Sequence, residues 1–136
     1  MANYRYINHT ADLGIKVKAR TFKELLKNIS NAIFETQISG TIDGVKTMRF
    51  SIKSKTLGDL VIDWCRELIY NFAVNGFIPK TYDLSLKKTS LSADLTGDTF
   101  NIEKHKVKLE IKNVTYHHFK LKKLQTGYKV VLIFDV

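Results

Sequence analysis

Residues 15–20 alternate without exception: Ile15, Val17 and Ala19 are apolar, while Lys16, Lys18 and Arg20 are cationic. A period of two predicts a strand with one wet face. The YRYIN segment before it is also strand-like. At Thr21 the period changes. Thr21 followed by Glu24 forms a capping box, and Phe22, Leu25, Leu26, Ile29 and Ile33 then recur at helical spacing, with Lys23, Lys27, Asn28 and Asn31 between them. This predicts an amphipathic helix. Residues 39–45, with Gly40 and Gly44, predict a loop, and Met48, Phe50 and Ile52 predict the next strand. Thr56 and Asp59 open a second helix with a broad stripe of Leu57, Leu60, Val61, Trp64, Leu68 and Phe72. Asn75-Gly76 closes it, with Gly76 as a left-handed cap and Pro79 just beyond.

From Tyr82 onward the period returns to two. The apolar sets are Tyr82, Leu84 and Leu86, then Leu91, Ala93 and Leu95, then Val107, Leu109 and Ile111. Gly127 predicts a turn between HFKLKKLQ and YKVVLIFDV, whose unbroken apolar run from Val130 to Phe134 implies cover on both faces. Two amphipathic helices and about seven strands, grouped rather than strictly alternating with helices, predict an α+β fold. We expect one layered domain spanning residues 1–136, with mixed or antiparallel sheets.

Composition supports that reading. The 136 residues are 44% hydrophobic and include eight Phe, six Tyr and one Trp, enough apolar surface for a packed core. No apolar run reaches the length of a membrane span, and MANYRYINHT lacks the apolar stretch of a signal peptide. A soluble, cytoplasmic protein with no membrane partner is the expectation. Cys65 is the only cysteine, which excludes an intrachain disulfide and a cysteine-built zinc or iron–sulfur site. The net charge of +9 favours phosphate-rich or acidic partners, but 18 of the 22 cations are Lys, which argues against bidentate base reading. Lys104, Lys106 and Lys108 alternate, as do Lys120 and Lys122. With Val107 and Leu109 expected in the core and no aromatic platform between the lysines, this pattern reads as a solvated face.

Candidate chemistry lies in three places. His9-Thr10-Ala11-Asp12 forms a polar turn between two strand-like segments, where an Asp ordinarily accepts local backbone hydrogen bonds. Asp135 emerges from the last apolar run and is followed by Val136. A hard cation needs several oxygen ligands, so Asp12 and Asp135 gain meaning only if the fold brings them together, and their spacing leaves that open. In KNVTYHH, polar side chains interrupt the alternation after Ile111, which predicts a bulge or strand end. Adjacent His117 and His118 would face opposite ways on a regular strand, and no zinc site is expected from them, His9 or His105. There is no nucleophile elbow, no glycine-rich phosphate loop and no Ser-His-Asp order, so no catalytic residue is assigned.

HTADLGIKVKA, LGDLVIDWCRELIYNF with NGF, GDTFNIEKH, IKNVTYHHF and GYKVVLIFDV occur in this order over nearly the whole chain. In this set the chain resembles the archease family. It departs at Asn113, where that family usually has a small apolar residue, and at Tyr128, where Trp is frequent. The resemblance implies an accessory protein rather than an enzyme. Its partner would be an RtcB-type tRNA-splicing ligase, which joins RNA ends with GTP and a divalent metal and whose guanylylation and multiple turnover the accessory protein promotes. It further implies Asp12, Asp135 and a main-chain or terminal oxygen of Val136 as ligands of a divalent ion, calcium first, with magnesium or manganese as alternatives. Lys112 and His9 are further functional positions on the same ground. The competing reading from composition is a basic RNA-binding or chaperone-like module acting through its lysines. An autonomous hydrolase is disfavoured by the missing nucleophile.

Overall fold

A computed structural model describes residues 3–7 and 12–136. Its strands are β1 (Tyr4–Ile7), β2 (Leu13–Ala19), β3 (Ile38–Ser39), β4 (Lys46–Lys53), β5 (Phe77–Lys87), β6 (Ser90–Thr99), β7 (Lys106–Val107), β8 (Asn113–Leu124) and β9 (Gly127–Asp135), and its helices α1 (Phe22–Gln37) and α2 (Leu57–Asn75). The α+β expectation holds, and every strand pairing described is antiparallel. One sheet runs β1-β2-β9-β8, a second β4-β6-β5, and the short β3 and β7 pair with each other. Nine described strands exceed the expected seven or so, two of them being only two residues long.

The helix boundaries follow from local chemistry. The side chains of Thr21 and Thr56 accept hydrogen bonds from the backbone N–H of Glu24 (3.1 Å) and Asp59 (3.0 Å), satisfying donors that a helix start leaves open. Gly76 takes φ +67°, a left-handed conformation that glycine adopts without Cβ strain, and its N–H caps the Phe72 carbonyl at 2.9 Å.

Eleven of the sixteen α1 residues are buried, more than the single stripe of a surface helix. The reason is its position, since α1 packs against β2 on one side and against α2 and β5 on others. Polar α1 side chains find partners there: Asn28 Nδ2 donates to the Lys18 carbonyl at 2.9 Å, and Ser30 Oγ accepts from the Tyr82 hydroxyl at 2.6 Å. Trp64 of α2, fully buried against Phe50 and Tyr82, donates through Nε1 to the Leu26 carbonyl at 2.8 Å and so ties the two helices together.

In the β4-β6-β5 sheet the alternation is regular from Thr81 of β5 onward, after a bulge between Pro79 and Thr81. Met48, Leu95 and Tyr82 form one inward row and Phe50, Ala93 and Leu84 another, while the rows between them are polar. The period-two reading of residues 107–111 fails. Only Lys106–Val107 forms a strand, Val107 and Leu109 are exposed, and of the three expected core residues only Ile111 is buried. That segment is held instead by the end of α1: Gln37 O accepts from Lys108 N–H at 2.7 Å, and Gln37 Oε1 from Ile111 N–H at 3.0 Å.

Candidate functional site

β2 and β9 pair from Ala19↔Tyr128 to Leu13↔Phe134, so the ladder ends with Asp12 just before Leu13 and Asp135 just after Phe134. Two residues 123 positions apart in sequence thus leave adjacent strands at the same end, about 5 Å from one backbone to the other. β8 lies on the other side of β9, with Asn113 opposite Asp135 and Val114 opposite Phe134. Just before β8, the backbone N–H of Lys112 donates to the carbonyl oxygen of Asp135 at 2.8 Å. Asp12, Asp135 and Lys112 are therefore gathered at one end of the four-stranded sheet. Asp12 is half-buried, and Lys112, Asp135 and Val136 are exposed. Their foundation is apolar, because Phe134 and Val114 are buried in the core directly beneath them. His9 lies outside the described residues.

The predicted interruption in β8 is a bulge. Its register to β9 shifts between Thr115 and Lys120, and His118 has φ +51°. The left-handed residue removes the strand alternation. His117 and His118 do not face opposite ways as expected, and their ring centroids are only 4.1 Å apart. Beside the bulge, the Tyr116 hydroxyl donates to Asp59 Oδ1 at 2.8 Å, and the Arg66 guanidinium lies 5.5 Å from the Tyr116 ring centroid, fixing this part of β8 to α2.

The donors gathered at the strand ends are two carboxylates and main-chain oxygens, with no sulfur. That is the chemistry of hard cations such as calcium or magnesium rather than of zinc. Among the described residues no group of three or more His, Cys, Asp or Glu side chains is arranged to hold a metal ion. The two aspartates fit such an ion only if main-chain oxygens, including that of Val136, complete the set.

Sequence reasoning missed a second polar cluster. Asp98, nearly buried at the end of β6, accepts from Asp43 N–H at 2.9 Å and lies 2.5 Å from Lys104 Nζ, which also reaches Asp43 Oδ2 at 2.7 Å. The Lys104 ammonium, followed by the Asp43 N–H, holds the Asp98 carboxyl down to about 2. Buried His105 accepts the Asn101 N–H on Nδ1 at 3.0 Å, which leaves Nε2–H to donate to the Thr41 carbonyl at 2.7 Å. The cluster ties the loop after β3 to the turn before β7. Its members are paired with one another and with backbone, which identifies it as a fastening for two loops. The GDTFNIEKH string contained Asp98, Lys104 and His105, but their partner Asp43 lies more than fifty residues away. Lys104 therefore does not share a strand face with Lys106 and Lys108.

Among the described residues no helix is long and apolar enough to cross a membrane. A profile of the Archease protein family (MTH1598/TM1083) matches residues 4–136. Protein archease of Methanosarcina acetivorans is 30% identical over 139 residues, covering 98% of this chain and 95% of that protein. Protein archease of Pyrococcus abyssi is 25% identical over 132 residues, covering 93% of each. The fold is shared with Methanobacterium thermoautotrophicum protein 1598, with a TM-score of 0.81 at 24% identity over the full length of both chains. It is also shared with a Thermotoga maritima archease described as a possible chaperone, with a TM-score of 0.64 at 23% identity over 97% of this chain and 96% of that one. None of these printed names states a catalytic activity. With its profile matched from the first strand to the last residue, the chain belongs to the archease family.

Proposed function

We propose that this protein activates a GTP-dependent tRNA-splicing RNA ligase of the RtcB type, acting through the acidic end of its four-stranded sheet. The observation that carries the reading is the β2–β9 register, which leaves Asp12 and Asp135 side by side with Lys112 bonded to the Asp135 main chain. Two carboxylates on adjacent strand ends repel each other, and a hard divalent cation bound there offsets that repulsion. Asp12, Asp135 and a main-chain or terminal oxygen of Val136 would hold it. The exposed Lys112 side chain supplies positive charge for a nucleotide phosphate or for the partner's carboxylates. The tip contributes positioned charge, and the bond-making chemistry belongs to the ligase, which is guanylylated with GTP and joins RNA ends.

The test is GTP-dependent guanylylation of the cognate ligase, followed over many turnovers with wild-type protein, Asp12→Ala, Asp135→Ala and Lys112→Ala. All three residues lie at a strand end, and circular dichroism checks that each variant folds. Each of them is expected to lower stimulation by tenfold or more. Undiminished stimulation by all three variants would remove the site.

A further inference from the structure

The outer face of the β1-β2-β9-β8 sheet carries a field of cations. The antiparallel register places Arg5, Lys16 and Lys120 in one row across the strands, with Val131 between the last two, and Lys18, Lys129 and Lys122 in the next. By strand geometry these rows lie about 6.6 Å apart, and the field extends about 15 Å across the four strands. The opposite sides of β2 and β9 supply buried Ile15, Val17, Val130 and Leu132 to the core, so the cations share the side turned away from the helices. Among the described residues of these four strands Asp135 is the only carboxylate, and it stands at the far end of β9. Like charges directly opposite on neighbouring strands oppose folding. The crowding of like charge lowers the Lys16 ammonium from its usual value, through diagonal Lys129 first and directly opposite Arg5 next, and lowers Lys122 mainly through Lys120, two residues along its own strand.

We infer that this sheet face is a binding surface for the phosphate backbone of RNA, engaged without regard to base sequence. A polyanion removes the repulsion that the bare surface carries, and it spans the six charges with one continuous chain. Lysines suit this role because each is a compact charge that neutralises a phosphate without demanding bidentate geometry. A protein partner fits less well, since interface cores are depleted in Lys and built around aromatic or Arg anchors, and this field is five lysines with a single Arg and Val131. Base stacking is not offered. The neighbouring Tyr4 and Tyr6 turn their hydroxyls to Glu35 and Thr36 of α1.

The surface is independent of the ligase reading, but the two are compatible in space. Lys16 is four residues along β2 from Asp12, about 13 Å, so an RNA strand on the field can run toward the acidic end.

The test is fluorescence anisotropy of labelled U12, A12 and C12 RNA at 50 and 200 mM salt. If four lysines each neutralise one phosphate, the log–log salt slope is about −2.8 and affinity falls about 50-fold between the two conditions. The Lys16→Gln/Lys18→Gln/Lys122→Gln/Lys129→Gln variant is expected to bind at least tenfold more weakly at 50 mM salt and to lose most of the slope. Its melting temperature should equal or exceed that of the wild type, because repulsion has been relieved. Lys106→Gln/Lys108→Gln, away from this sheet, should bind within twofold of wild type, and the three RNAs should bind within about threefold of one another. The inference is overturned if the quadruple variant binds as the wild type does, or if the control pair weakens binding equally. It is also overturned if poly-glutamate at equal charge concentration displaces the RNA as well as unlabelled U12 does. Guanylylation of the ligase is measured separately, so failure of either proposal leaves the other standing.

Discussion

Phe134 is the side chain on which the acidic end of the sheet rests. It is 1% exposed, pairs with Leu13 on one side and Val114 on the other, and is followed directly by Asp135. Phe134→Ala removes a buried ring from a packed site, a change that costs about 3–5 kcal/mol. For a chain of this size a urea m-value of about 1.7 kcal/mol/M converts that loss into a midpoint shift of about 2–3 M. An unfolding entropy of about 2.1 cal/mol/K per residue converts it into a fall in melting temperature of about 10–17 °C. A domain with about 7–20 kcal/mol of stability remains folded at 25 °C after such a loss. Urea titration followed by circular dichroism gives the stability change.

Ligase guanylylation at 25 °C gives the functional consequence, with Leu68→Ala, a buried truncation on α2, as the control of comparable cost. Phe134→Ala should lose stimulation while folded, because the strand end carrying Asp135 loses its footing. Leu68→Ala should lose stability and keep stimulation. A midpoint shift below about 0.5 M, or equal loss of stimulation in both variants, would refute the reasoning that the core under β9 positions the acidic end.

Three further outcomes follow from the structure. Asp98 is held at about 2, below its usual 3.8, so its contribution to stability is fully present above the higher value and is lost as pH falls through the lower one; the stability difference between wild type and Asp98→Asn should be constant above about pH 5 and shrink between about pH 4 and 2 in urea titrations. A Cβ at Gly97 would fall on the Ile78 carbonyl oxygen at the β5 bulge, inside van der Waals contact, so Gly97→Ala should destabilise by about 1–3 kcal/mol or more, read as a lower melting temperature. Cys65 is fully buried and burial pushes its thiol up, so a thiol-specific disulfide reagent should label it only as fast as the protein opens; complete labelling of the native protein within minutes would contradict this.

Local signals made part of this fold legible. Thr21, Thr56 and Gly76 act on groups within four residues of themselves, so the helix ends can be read without knowing what surrounds them. The inward rows of β4, β5 and β6 are likewise written in each strand's own alternation, although the order β4-β6-β5 is not. The reading failed where a distant group supplies the hydrogen bonds. Residues 108–111 look like a strand, but their amides go to the backbone and side chain of Gln37, more than seventy residues earlier, and Leu109 is left exposed. Alternation also failed at His117 and His118, because it assumes extended backbone and His118 is left-handed. The site was legible as types of residue and not as a place. Asp12 and Asp135 each looked like an ordinary loop or terminal aspartate, and only the pairing of an early strand with the last one gives their juxtaposition.

That pairing also separates what the protein needs to fold from what we propose it uses. Along β2 and β9 the inward residues Ile15, Val17, Val130, Leu132 and Phe134 are buried, and the charged residues stand either on the outer face or beyond the last ladder pair. Burial of apolar area sets stability, and charges outside that area contribute little to it or oppose it. The lysine rows can therefore be altered at small cost to the fold or at a gain. A protein whose surface charges served only solubility would have no reason to place same-sign charges opposite each other on three adjacent strands, when exchanging one for a carboxylate would turn repulsion into a cross-strand pair. The concentration of cations on one face, with Asp135 the one carboxylate among the described residues of these four strands and at the far end of β9, gives the sheet a direction along which the proposed RNA surface and the acidic end lie in sequence.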